Sequence, residues 1–386
     1  PRRHAAGRLA APAVLTPPRA APPRRSVVVV PERFETGALT PCAYIRLLQP
    51  LDHPLAGAGL DVTLAPLGAA VTTLRADIIA THRNALTSEA EAARLLRHCR
   101  THGITLLYDL DDDLLALPPE HPDAARLAPL APAVARLLAG ADVVSVSTPA
   151  LAARITPHRG QAAVVANGLD ERLWADPLPA RQRRGGVVRI LYMGSQTHAA
   201  DFALVAPVLE RLLLAFGPQV SVDLIGIAAA SDLPSWAGRI GPPPSAASYP
   251  GFVNWLAQQG AWDIGIAPLA EGPFAATKSA IKALEYAALG VPTVASDGPA
   301  YRGSVADGPG GILVPNSAAA WWEALSRLIR DPGLRQRLAA GGRDWLAANG
   351  TLAAQAMARR AAWRLDPVSP RPRAAALIPT RFDVDP

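Results

Sequence analysis

Short runs rich in Val, Ile and Leu alternate with stretches of helical periodicity along nearly the whole chain. In the first half the apolar runs fall at 26–31, 60–65, 77–81, 104–108, 142–147 and 162–165, with helical spacing at intervals such as 88–100 and 124–138. Their alternation predicts parallel α/β layers rather than a helical bundle or a β-sandwich. A Pro-, Gly- and Arg-rich stretch at 176–186 reads as a linker. A second alternation follows it, with strands at 187–193, 220–225, 263–267, 292–295 and 311–314 and helices at about 200–216, 249–259, 278–289 and 318–329. The pattern predicts two doubly wound, Rossmann-like domains, 26–175 and 187–365, the second ending in a helical region (331–365) that packs back on the domains. Two such sheets in tandem enclose a cleft, and ligands of open parallel sheets bind beyond the carboxyl ends of the strands. Residues just after strands are therefore the candidates for function.

Composition narrows the classes. The chain's 386 residues suit two domains, and no apolar stretch reaches the roughly 18–20 residues that span a bilayer. The formal charge of +6 suggests nucleic acid until the charges are located. Arg2, Arg3, Arg8, Arg19, Arg24 and Arg25 account for all of it and lie in a Pro/Ala/Arg stretch, 1–25, that reads as a disordered tail. The body is close to neutral, so no nucleic-acid partner is expected; the tail allows a possible peripheral contact with acidic lipid head groups. The tail lacks the apolar core of a secretory signal, and 366–386 reads as a second tail. Cys42 and Cys99 have no metal-ligand spacing and read as thiols of a reducing compartment, so a cytoplasmic location is expected, with no metal and no cofactor.

Of the 38 basic residues two are Lys, at 278 and 282, and the rest are Arg. A sequence so biased toward Arg retains Lys where a compact, strongly hydrated point charge is needed. Thr277 as N-cap, Gly290 just past the end and Pro292 as a stop predict a helix over 278–289. On it Lys278, Lys282 and Glu285 share one narrow stripe beside the apolar Ile281, Leu284 and Ala288. Two ammonium groups and a helix N-terminus suit a diphosphate, and a carboxylate suits a ribose diol. Equally, Lys282 and Glu285 have the spacing of an ordinary surface pair.

Three other places follow strands. Gly194 turns the chain after 187–193 and presents Ser195, Gln196, Thr197 and His198; His198 has the spacing to pair with Asp201 at a helix start. Asp109, Asp111, Asp112 and Asp113 crowd after 104–108, where mutual repulsion calls for solvent, cations or hydroxyl-rich ligands. That cluster reads as an acceptor-side site at the cleft, with Asp109, Asp111 and Asp112 as candidates, or as a solvated turn that caps the next helix. A Mg²⁺-binding receiver domain would need a Lys in the same half, which has none. Arg83, after 77–81, is a further acceptor-side candidate.

The run 274–296, FAATKSAIKALEYAALGVPTVAS, resembles the donor-binding segment of GT-B glycosyltransferases of the glycosyltransferase 4, or group 1, class. The resemblance spans about 26–365, is stronger from 187 onward, and includes Asn167 to Asp170 as the segment between domains. It implies a GT-B fold and transfer of a sugar, with retained configuration, from a nucleoside-diphosphate sugar to a glycan or lipid-linked acceptor in cell-surface polysaccharide biosynthesis. It also implies a donor site of Gly194, Ser195, Thr197, His198, Lys278, Ser279, Lys282 and Glu285, with Glu285 on the ribose and Lys278 stabilising the leaving group, and it places Asp111 close to the reacting sugar, where many members carry a His. Position 277 departs from the class, being Thr where a second Glu is common. Two alternatives remain open: a nucleotide-sugar 2-epimerase on the same fold, and a non-catalytic nucleotide- or sugar-binding protein.

Overall fold

A computed structural model describes residues 24–174, 186–226, 234–259 and 261–366. The expected tails and linker lie outside these residues, apart from Arg24, Arg25, Gly186 and Asp366. The first sheet contains β1 (Arg25–Val30), β2 (Leu60–Leu64), β3 (Ile78–His82), β4 (Thr105–Leu110), β5 (Val143–Val146) and β6 (Ala163–Val164), all parallel in the order β2-β1-β3-β4-β5-β6. The second contains β7 (Val188–Met193), β8 (Val220–Ile225), β9 (Gly238–Ile240), β10 (Ile264–Ala267), β11 (Thr293–Ser296) and β12 (Gly311–Val314), again all parallel, in the order β12-β11-β10-β7-β8-β9. The α/β, two-sheet GT-B architecture expected from the sequence is thus the fold. Strands β3, β5, β10 and β11 are buried at every position because helices cover both faces of each sheet, which is why they read as continuous apolar runs.

Arg25 opens β1 opposite Leu60, and the Arg24 side chain donates to the Leu60 carbonyl at 3.0 Å, so these two residues belong to the sheet rather than to the tail. Strand β9 has only three residues and no apolar run to announce it. The final helix, Leu352–Trp363, lies against the first sheet: Trp363 Nε1 donates to Ser145 Oγ at 2.9 Å, and Trp363 and Leu365 are buried with Leu47, Leu107 and Val143. The chain therefore returns to the first domain after completing the second. Among the described residues, no helix is long and apolar enough to cross a membrane.

Each sheet changes winding direction beside its first strand. In the second sheet the change falls between β7 and β10, and in the first between β1 and β3. The loops after those four strands meet in the interdomain cleft, where the topology places a ligand. The helix Ile281–Ala288 is seated there by Tyr286, whose hydroxyl accepts from Met193 N and donates to Ile266 O, both at 3.0 Å. Gly265 makes room for this ring: a Cβ there would lie 2.6 Å from Tyr286 Cγ.

Candidate active site

The helix carrying the basic stripe starts later than its sequence suggests. Pro273 at a first-turn position initiates a separate turn, Pro273–Ala276, which Thr277 terminates: its hydroxyl donates to Phe274 O at 2.7 Å instead of accepting from amides. The main helix begins at Ile281, with Ala280 before it offering no capping oxygen. Lys278 and Ser279 therefore lie in the connection ahead of the helix, and only Lys282 and Glu285 share its face.

This connection borders a cleft cavity of about 440 Å³. From the second domain Ser195, Thr197, His198, Lys278, Ser279 and Lys282 line it; from the first come Glu32, Arg83, Asp111, Asp112, His121 and Asn167. Glu285 stands one turn further along the helix, its Oε1 accepting from the Tyr249 hydroxyl at 3.1 Å. Burial pushes the Glu285 carboxyl up to about 7, against the pull of Tyr249 and Lys282. Lys282 Nζ is 3.4 Å from His198 Nε2 rather than paired with Glu285. His198 Nδ1 meets Asp201 Oδ2 at 2.6 Å, so the ring proton sits on Nδ1 and Nε2 faces the ammonium. Burial, and then the Lys282 charge, keep the His198 pKa below its ordinary value. Burial likewise brings Lys282 down to about 8, with Lys278 adding repulsion and Asp201 opposing it.

Gly194 does not supply an amide to this space. Its N–H donates to Ile225 O at 3.0 Å, and its lack of a side chain serves packing, since a Cβ would stand 3.0 Å from the Tyr192 hydroxyl. Ser195 and Thr197 are joined by a 2.7 Å hydroxyl contact at the mouth.

On the first domain the acidic run separates into two environments. Asp109 is fully buried beneath the cavity, its two oxygens accepting from Arg46 Nε and Nη2 at 2.8 and 2.7 Å and one also from Ser145. It is a structural anion of the core rather than a group facing an acceptor. Asp111 and Asp112 do reach the cavity, bonded to Arg83 Nη1 at 2.6 and 2.8 Å, and Asp112 also accepts from Lys278 Nζ at 2.8 Å. Burial works against their charge, yet Arg83, with Lys278 at Asp112, holds both carboxyls below the usual range. Asp113 pairs with Arg154 at 2.9 Å. Each of the four carboxylates thus has an Arg or Lys partner. Arg83 holds a left-handed backbone, φ 48°, uncommon for a side chain of its size. Its Nε pairs with Glu32 at 3.1 Å and its carbonyl accepts from the Tyr108 hydroxyl at 2.8 Å, so the strain is held from three sides.

His53, Asp170 and Glu171 form a second group whose atoms lie close enough to share a metal ion. His53 Nδ1 accepts from Leu55 N and Ala56 N, which places the proton on Nε2, 2.7 Å from Glu171 Oε1, and Arg172 neutralises Asp170. The donor set is a satisfied hydrogen-bond cluster.

Sequence reasoning missed Glu32, His121 and Tyr249. Glu32 follows β1 and falls under the same after-strand rule that flagged Arg83. His121, edge-on to Phe274 at 5.3 Å, and Tyr249 come from segments without a local signal. Both cysteines are free thiols; Cys42 borders the cavity, and burial pushes its thiol well above the ordinary range.

Two Rossmann-like sheets with their ligand loops across one cleft define the GT-B fold. Residues 188–331 match the family model described as glycosyl transferases group 1. No curated protein gives a significant sequence match. Among solved structures, sucrose-phosphate synthase from Thermosynechococcus elongatus superposes with a TM-score of 0.62 at 17% identity, covering 88% of this chain and 98% of its own. HepE from Anabaena, in complex with UDP-glucose, gives 0.61 at 15%, covering 88% and 99%. WaaG, a glycosyltransferase involved in lipopolysaccharide biosynthesis, gives 0.57 at 12%, covering 87% and 99%.

Proposed function

We propose that the enzyme takes a sugar from a nucleoside-diphosphate donor, held by the second domain, and passes it to a hydroxyl of a glycan or lipid-linked acceptor held by the first. The observation that carries this reading is the placement of both lysines of an arginine-rich chain at the winding change between β7 and β10. Lys278 and Lys282 would neutralise the diphosphate as it departs, and Glu285, oriented by Tyr249, would accept from the ribose hydroxyls. Ser195, Thr197, His198 and Ser279 supply the remaining polar wall on that side. Asp111, Asp112 and Arg83 form an ion-paired wall opposite, suited to orienting a hydroxyl-rich acceptor. Retention of configuration, a role in cell-surface polysaccharide synthesis and a cytoplasmic, membrane-peripheral location belong to the same reading, which requires neither a metal nor a cofactor.

Incubation with UDP-, GDP- and ADP-linked sugars, followed by mass spectrometry, tests it. Release of one nucleoside diphosphate above background, reduced in Lys278→Ala, is the expected result. Conversion of a nucleotide sugar to its epimer without acceptor would assign epimerase activity instead, and inertness toward every donor would refute the reading.

A further inference from the structure

Thr277, Lys278 and Ser279 belong to the second domain, yet each is held by a group from the first. Thr148 Oγ1 donates to the Thr277 carbonyl at 2.9 Å, Asp112 Oδ1 accepts from Lys278 Nζ at 2.8 Å, and Asn167 Nδ2 donates to Ser279 Oγ at 2.7 Å. The holders are themselves fixed. Thr148 caps the helix Pro149–Arg159, accepting from Leu151 N at 3.1 Å; Asp112 is bonded to Arg83; Asn167 Oδ1 accepts from the buried Arg46 at 2.7 Å. Among the described residues, neither the Lys278 ammonium nor the Ser279 hydroxyl has a hydrogen-bond partner in its own domain. Lys278 otherwise only overlies the Phe274 ring, 4.4 Å from its centre.

We propose that Thr148 and Asn167 are positioning residues that fix the 277–279 connection and so present Lys278 to the departing diphosphate, making the phosphate site complete only while the first domain is docked on it. The inference rests on the donor reading above. An ammonium has three protons; one lies on Asp112, leaving two for phosphate oxygens. A lysine on a flexible four-carbon stem needs such an anchor to be preorganised, and an undocked first domain releases it. Donor cleavage is thereby tied to the presence of the acceptor-side domain, which limits wasteful hydrolysis in an open molecule.

The chain's two lysines make the test direct. The full-length protein is acetylated with an N-hydroxysuccinimide ester in the absence of nucleotide, and the rates at Lys278 and Lys282 are followed by peptide mass spectrometry. Thr148→Val and Ser279→Ala should each raise the Lys278 rate about fivefold, the factor equivalent to one lost hydrogen bond of about 1 kcal/mol. Lys282 serves as the internal reference, and Thr148→Ser should match the parent. With UDP-glucose as probe, Thr148→Val should release UDP with kcat about fivefold lower and KM unchanged, restored by Thr148→Ser. Thermal melting shows whether Thr148→Val, which also loses a helix cap, remains folded; Ser279→Ala tests the contact from the other side without touching that cap. Equal Lys278 labelling in all four proteins overturns the positioning role. Labelling that shifts as expected in proteins inert toward UDP-, GDP- and ADP-sugars overturns the donor reading and leaves the interdomain clamp standing.

Discussion

Lys282 and Glu285, on the helix Ile281–Ala288, place opposite demands on pH. Burial brings Lys282 from 10.5 down to about 8 and raises Glu285 to about 7. A diphosphate needs the ammonium charged, and a ribose diol needs the carboxylate ionised, so nucleotide affinity should peak between about pH 7 and about pH 8. One pH unit above the Lys282 value about one molecule in ten keeps that charge, giving about a tenfold loss of affinity per unit on the alkaline side until the bound phosphate restores the proton. The acid limb should be shallower, since a protonated carboxyl still accepts one hydrogen bond and UDP itself loses charge near pH 6. Folding responds with the opposite sign to Lys282: the cost of holding its charge, about 3 kcal/mol at ~1.4 kcal/mol per pH unit, is full below about pH 8 and is relieved as pH rises toward 10.5. Isothermal titration with UDP at constant ionic strength, from about pH 6 to about pH 9.5, reads the binding curve. Lys282→Arg keeps its charge throughout and should abolish the alkaline limb, while Glu285→Gln should flatten the acid one. An alkaline fall that persists unchanged in Lys282→Arg would refute the assignment of that ammonium to the phosphates.

Three further outcomes follow from the geometry. On the proposed donor reading, Lys278→Ala should lower donor turnover by about a hundredfold while the melting temperature is retained, because the ammonium proposed to neutralise the leaving group is lost at a half-buried position. Arg46→Leu strips the fully buried Asp109 of two charged donors and should cost about 3–5 kcal/mol in urea unfolding, a large share of a domain's stability. Gly265→Ala sets a methyl 2.6–2.8 Å from a Tyr286 ring pinned by its hydroxyl, and should cost about 1–3 kcal/mol and weaken UDP binding as the helix Ile281–Ala288 shifts.

Strands buried on both faces announce themselves as apolar runs, so β3, β5, β10 and β11 were legible, whereas β9, with three residues and little burial, was not. Strand order is set by tertiary packing and leaves no mark on local periodicity, yet it is the order that brings β7 and β10 together and creates the site. Lys278, Lys282 and Glu285 were visible as residue types at a spacing. Their helix start was misplaced because Thr277 is as good a terminator of the turn begun at Pro273 as it is an N-cap, and only the hydrogen bond to Phe274 O distinguishes the two. The acidic run could not be sorted from sequence. Asp109 differs from Asp111 through Arg46, 63 residues away, and Asp112 through Lys278, 166 residues away. Thr148 and Asn167 reach across 129 and 112 residues and Tyr249 across 36; Asn167 was visible only as part of the segment between domains, and nothing in the segments of Thr148 and Tyr249 marks them.

On the function proposed above, the cleft beside β7 and β10 holds a nucleoside diphosphate. A crystal structure of the protein with UDP would show whether it does. The diphosphate is expected between Lys278 and Lys282 and the ribose on Glu285, with His198 displaced from its 3.4 Å contact with Lys282. A nucleotide seated instead in the neighbouring cavity of about 240 Å³ beside Asp297, Arg302 and Asn316, or no nucleotide bound at all, would contradict it.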